Sequence, residues 1–252
     1  MPTIAQILQT SPLPRNETRL LLQHATGYTA AQLITRDREP LPEPQATRLQ
    51  YLIARRSAGE PIAYILGTRE FYGRSFTVSP AVLIPRPETE HLLEAALQRL
   101  PASGTLWDLG TGSGIIAITL ALEAPDTEVH AVERSPEALA VAQQNAKALG
   151  ADRIHWHAGS WWQALANATG SHEATENAAT AAQTTSPITA RQERPTEPPA
   201  RRFDLIVSNP PYIAANDHHL QQGDLRFEPP QALAAGPDGL DDLRIIIGGA
   251  PS

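Results

Sequence analysis

Apolar positions recur along this chain with two different periods, and the change of period divides it. Through about residue 60 they return every three or four residues, the spacing of one helix face. In NETRLLLQHATG (16–27), Leu20, Leu21 and Leu22 form the apolar set, Asn16 is a candidate N-cap and Gly27 a stop. EPQATRLQYLIARRSAGEP (43–61) repeats the pattern, with Leu49, Leu52 and Ile53 on one face and Gly59 and Pro61 closing it. A small helical module over 1–66 is expected. From Tyr64 short β-type runs are broken by Gly67, Gly73, Pro80, Pro85 and Pro87. That punctuation predicts a hairpin linker over 67–90, with a helix over 88–100 after it.

Beyond Pro101 strand and helix patterns alternate. TLWDL, EVHAVE, RIHWH and FDLIVS read as strands; GIIAITLALEA and SPEALAVAQQNAKALG read as helices, the second with Ser135 at its N-cap, Pro136 in its first turn and Gly150 just past its end. Such alternation implies an α/β domain over 91–252, a doubly wound parallel sheet with helices on both faces. Residues 166–202 interrupt it: they are Ala, Thr, Pro and polar residues, with Ile188 the only large apolar side chain. Too little apolar surface is available there to offset the entropy of ordering, so a disordered insertion is expected.

Two loops of this pattern carry chemistry. In WDLGTGSGIIAI a strand ends at Asp108 and Leu109, and Gly110, Thr111 and Gly112 lead through Gly114 into a helix. Glycines allow a tight turn and close approach of a ligand, and Glu133, ending the next strand, can accept both hydroxyls of a ribose. The dinucleotide fingerprint would need glycine where Ile115 stands, and the chain's only lysine is Lys147, outside the loop. A nucleoside without phosphates fits better than NAD or ATP, and S-adenosylmethionine is the cofactor this points to.

The second loop is the end of FDLIVSNPPYI. The proline doublet must stop the strand. In an open parallel sheet this loop and the glycine loop face one crevice, beyond the carboxyl ends of neighbouring strands. The amide of Asn209 and the carbonyl of Pro210 give two fixed acceptors for an –NH2 group, stiffened by Pro210 and Pro211. Tyr212 offers a flat face to a planar amide or base. Trp161, just past the third strand, is expected against the adenine ring, although Trp161 and Trp162 also suit a core. His155 and His157 share a strand face, but two imidazoles without a third ligand do not define a metal site; His218 and His219 read as solvated.

Composition narrows the partners. A net charge of −7 over 252 residues argues against a general nucleic-acid binder, although residues 1–60 hold seven Arg against five acidic residues. The absence of cysteine excludes disulfides and thiol nucleophiles and is compatible with a reducing compartment. No signal peptide or membrane-length apolar run is evident, so a soluble cytoplasmic protein is expected.

Together these residues resemble the HemK-type N5-glutamine methyltransferases of peptide chain release factors. PIAYILGTREFYGRSFTVSPAVLIPRPETE is similar to that family's linker, DLGTGSGIIAI to its cofactor loop, SNPPYI to its signature and HLQQGDLRFEPPQALAAGPDGL to the segment that follows. The resemblance implies a Rossmann-like methyltransferase sheet and transfer of a methyl from S-adenosylmethionine to the glutamine amide of the release factors' Gly-Gly-Gln loop. Asp108, Leu109, Gly110, Thr111 and Gly112 would hold the methionine part, Glu133 the ribose, Trp161 the adenine. Asn209, Pro210, Pro211 and Tyr212 would bind the glutamine, with Asn209 also near the cofactor. The helical module would engage the release factor, the enzyme acting as a monomer without direct nucleic-acid binding. Ser160 stands where many relatives have Asp. The family continues beyond GGAPS with three further strands, so a truncated chain, folding poorly or with low activity, is expected. The residues alone leave open a ribosomal-protein glutamine as target, an amino group of a nucleic-acid base, or a module that binds cofactor without turnover.

Overall fold

The computed structural model describes residues 1–164 and 203–250; the insertion expected at 166–202 lies outside them. Five helices come first: α1 (Ile4–Thr10), α2 (Arg15–Thr26), α3 (Ala30–Thr35), α4 (Glu43–Ser57) and α5 (Ile62–Leu66). They close around Ile4, Leu21, Leu22, Leu33, Leu41, Leu49 and Leu52. Two local expectations are corrected. Pro14 is the N-cap of α2, and Asn16 lies inside the first turn. The fixed φ of Pro14 starts the helix without any side-chain cap. Leu20 is 41% exposed: Thr18, Leu21, Leu22 and Ala25 occupy the buried face, and one more leucine would lie off that stripe.

A hairpin follows α5. Strand β1 (Thr68–Phe71) pairs antiparallel with β2 (Arg74–Thr77), Phe71 opposite Arg74. Tyr72 and Gly73 make the two-residue turn at φ 49° and 71°, the doubly positive geometry that matches the strand twist. Helix α6 (Thr89–Leu97) then leads into the sheet, shorter at each end than the sequence pattern suggested.

The sheet contains β3 (Thr105–Leu109), β4 (Glu128–Glu133), β5 (His155–Ala158) and β6 (Leu205–Ser208), all parallel, in the order β5-β4-β3-β6. Helices α7 (Ile115–Glu123), α8 (Pro136–Leu149) and α9 (Asp241–Gly249) complete the α-helices among the described residues. On one face Leu106, Val129, Ala131 and Val207 pack under α6, α7 and α8. On the other, Trp107, Leu109, Val132 and Ile206 meet Trp161, Trp162 and Ile246 of α9. The fold is a doubly wound α/β sheet behind a small helical unit. Chain order reverses at β3, whose neighbours are β4 and β6, so the loops after these strands open on one crevice. No helix among the described residues is long and apolar enough to cross a membrane.

Candidate active site

The loops that leave the carboxyl ends of all four strands line one cleft, roofed by Ala81, Val82, Leu83, Pro85 and Arg86 of the linker and by Pro229, Gln231 and Ala232. It encloses about 880 Å³, open solvent included. Arg134 donates to the Gln231 carbonyl at 2.9 Å, tying the β4 loop to the roof.

The glycine loop is held by a short network. Gly110 and Thr111 both donate backbone N–H groups to the Val132 carbonyl at 2.9 Å. Gly110 has φ +79°, and a Cβ there would stand 3.0 Å from the Trp161 ring. Gly112 has φ +58° and no atom within 4 Å of where its Cβ would be, so its backbone is bare toward the cleft it lines. The Glu133 carboxylate grips this turn: Oε2 accepts from Gly112 N–H and Oε1 from Ser135 N–H, each at 2.9 Å. Ser135 caps α8 by accepting from Ala138 N–H at 3.2 Å.

Asp108 and Leu109, read from the sequence as cofactor contacts, lie beneath the cleft and not on its wall. Leu109 is core. Asp108 is fully buried, and its Oδ2 accepts from Thr111 Oγ1 at 2.6 Å and from Ala117 N–H at 3.2 Å. Its Oδ1 has no partner among the described residues. Burial pushes the carboxyl from 3.8 up to about 7, against the pull of those two donors. The folded state thus holds the proton more tightly than the unfolded chain, and the contribution of Asp108 to stability falls as pH rises from about 4 to 7. The loss is on the order of 4 kcal/mol. Asp108→Asn keeps an acceptor for Thr111 and Ala117 without the buried charge. Its melting temperature, followed between pH 4 and 8, is expected to decline less than that of the parent; parallel curves would exclude the assignment.

Trp161 adopts φ 45° and is nearly buried; its indole N–H donates to Asp242 on α9 at 3.1 Å while its ring covers Gly110 and lines the cleft. The sequence offered two roles for this residue, cleft wall and core filler, and it occupies both positions. Ser160 also lines the cleft.

Asn209 follows the last residue of β6, where Ser208 Oγ donates to the Leu109 carbonyl at 2.6 Å and locks the two strand ends together. Asn209 lines the cleft and also a second, outer groove of about 800 Å³, shared with Pro210 and Tyr212. Pro210 and Pro211 are buried, with Pro211 turned to the inner cleft, while Tyr212 is 65% exposed. The Asn209 amide nitrogen donates to Thr89 Oγ1 at 3.4 Å, which leaves Oδ1 directed elsewhere. Thr89 is itself buried and lines both spaces.

Sequence reading missed Thr89, Arg86 and Glu228. The Glu228 side chain is fully buried, accepting from Ile84 N–H at 3.0 Å and from the Arg86 guanidinium. Arg86 lines both the cleft and the groove. This pair clamps the linker to the segment that roofs the cleft. A Glu before a proline doublet gives no signal for a partner 142 residues away.

Residues 3–67 match the PrmC N-terminal domain family and residues 89–174 the precorrin methyltransferase domain family. The chain is 48% identical to the release factor glutamine methyltransferase of Neisseria gonorrhoeae over 249 residues, covering 99% of this chain and 80% of that one. It is 42% identical to the release factor glutamine methyltransferase of Escherichia coli over 241 residues, covering 95% of this chain and 75% of the relative. Among solved structures, P. horikoshii TYW2 in complex with MeSAdo aligns with a TM-score of 0.33 and 15% identity, over 37% of this chain and 35% of that one.

Proposed function

The chain belongs to the release factor glutamine methyltransferase family, and from that premise we infer that it transfers a methyl group from S-adenosylmethionine to the side-chain amide nitrogen of a release-factor glutamine. One observation carries the reading: Asn209 stands on the wall common to the inner cleft and the outer groove. A group bound in either space can reach it.

The inner cleft suits the cofactor. Each Glu133 oxygen accepts one backbone N–H, and a carboxylate oxygen has a second lone pair, so both remain able to accept from a ribose diol. The bare backbone at Gly112 permits close approach, and Trp161, Ile115, Val82 and Ala138 offer apolar surface to a base. When bound, S-adenosylmethionine supplies an electrophilic methyl on a sulfonium.

The chain's own residues then deal with a poor nucleophile. An amide nitrogen has a delocalised lone pair. Asn209 Oδ1 and the Pro210 carbonyl accept its two hydrogens and favour a pyramidal nitrogen, while the buried prolines keep both acceptors in place. Tyr212, exposed at the groove, lies flat against the incoming amide. The proton released on methylation leaves to solvent through the open groove. Asp108 supports the glycine loop from below and makes no contact with the reacting atoms. The helical unit engages the release factor with its exposed Ile34 and Tyr51. We place the enzyme in the cytoplasm, acting as a monomer.

Mass spectrometry of a release factor incubated with this chain and S-adenosylmethionine is expected to find one methyl on the glutamine of the Gly-Gly-Gln loop. Methylation confined to ribosomal proteins or to nucleic acid, or no transfer, would overturn the assignment.

A further inference from the structure

His155 and His157 lacked a third ligand in the sequence. The register of the sheet instead brings two other candidate ligands to His155. His130 on β4 is paired with His155 on β5, and Glu128 lies two residues before His130 on the same face. Glu128 Oε1 stands 3.0 Å from His130 Nε2 and 3.7 Å from His155 Nε2. One ligand atom from each of the three lies within 4.8 Å of the others. Two ligands on a tetrahedral zinc ion with ordinary bond lengths are about 3.4 Å apart, and the two measured separations fall on either side of that.

The nitrogens of His130 are both engaged. Its Nδ1 is 2.9 Å from His157 Nε2, a contact that needs one proton between two rings. At 3.0 Å the opposite nitrogen and the Glu128 carboxylate also need something positive between them. Without an ion, an Nε2–H fills the second place and His157 donates to Nδ1 of the buried ring. A metal ion at Nε2 fills the second place, while Nδ1–H donates to His157, which fixes the tautomer and orientation as an outer partner does for a ligating imidazole. The ring is also stacked on Trp107 at 5.2 Å and 9° and so is held in place before any ion arrives. Glu128 and His155, by contrast, have side chains 54% and 56% exposed and are reachable from solvent. The His155 ring lies nearly parallel to His130, 4.7 Å away at 20°, so it must turn about its side-chain bonds to aim Nε2 at a shared ion.

We propose that Glu128, His130 and His155 bind one divalent transition-metal ion of the zinc type, with His157 as the residue that positions His130. Two imidazoles and one carboxylate suit such an ion better than calcium or magnesium, which take oxygen ligands. The site is at the amino ends of the strands. Glu133 of the cleft is five residues farther along β4, roughly 16 Å away. The ion therefore takes no part in methyl transfer; it joins β4 to β5 and stabilises the folded chain by mass action.

The full chain, stripped with chelator and titrated with zinc chloride by calorimetry, is expected to bind one ion and to melt several degrees higher when saturated. His155→Ala and Glu128→Gln, both at solvent-exposed side chains, are each expected to weaken binding at least about tenfold without lowering the melting temperature of the metal-free protein. His157→Ala is expected to weaken it by about 10- to 100-fold. His218 and His219 sit beside Asp217 in a second, exposed cluster; replacing both by alanine should leave affinity unchanged. Failure to bind zinc, affinity indifferent to His155 and Glu128, or affinity lost with His218 and His219 would each overturn the proposal.

Discussion

Replacing Asn209 by alanine is expected to lower kcat by at least about 10²-fold while S-adenosylmethionine affinity stays within a few-fold of the parent. The size follows from what the side chain does. A fixed polar group aimed at the reacting atoms, and absent from uniform binding, typically accounts for 10²–10³ in turnover when removed. Asn209 has the position for this, on the wall between cleft and groove. Its contribution to folding is small by comparison: the side chain is half-buried and, among the described residues, makes one long hydrogen bond, 3.4 Å to Thr89. The strand end is locked independently by the 2.6 Å bond from Ser208 to Leu109. The backbone that carries the Pro210 carbonyl should survive the substitution, and with it the second acceptor. Single-turnover rates at saturating cofactor and release factor, set beside calorimetric titration with S-adenosylmethionine, separate the possibilities. Equal losses in cofactor affinity and in rate would make Asn209 a structural residue of the cleft. A raised KM for the protein substrate at unchanged kcat would make it a docking contact.

The sequence disclosed the parts of this molecule that depend on local pattern and withheld those that depend on register. Alternating strand and helix runs, with Ser135 and Gly150 as helix signals, were enough for a parallel sheet; both cap α8 where the pattern put them. The strand order could be anticipated because β3 and β6 both end in loops that need a common crevice. Asn16 and Leu20 were misjudged because a cap or a stripe is fixed by where the helix starts and which face meets the core, and Pro14 and Thr18 decided both. Asp108 shows the same limit at the site. A carboxylate at a strand end can face a ligand or lie under the loop, and only the bonds from Thr111 and Ala117 tell which. The Arg86–Glu228 clamp and the approach of His130 and Glu128 to His155 join residues far apart in sequence. No spacing rule reaches them.

Glu133→Ala should reverse the pattern expected for Asn209, with cofactor affinity lost first, by about 10²-fold or more, and kcat at saturating cofactor recovering to within about tenfold. Two effects add. Hydrogen bonds to a charged acceptor are worth about 1.5–3 kcal/mol each, and a ribose diol offers two. The carboxylate also holds the turn in shape, since Gly112 and Ser135 both donate to it at 2.9 Å. Without it, two backbone N–H groups at the cleft wall lose their acceptor, and the glycine loop loses its tie to the end of β4. Glutamine does not rescue this arrangement. It keeps one oxygen, but its –NH2 group must then face one of the two backbone donors. Glu133→Gln is therefore expected to bind cofactor nearly as poorly as Glu133→Ala. A side chain that only accepted from the ribose, without holding the turn, would instead give a graded series in which glutamine keeps much of the affinity. Titration of both variants with S-adenosylmethionine distinguishes the two accounts, and full affinity in Glu133→Ala would remove Glu133 from the cofactor site altogether.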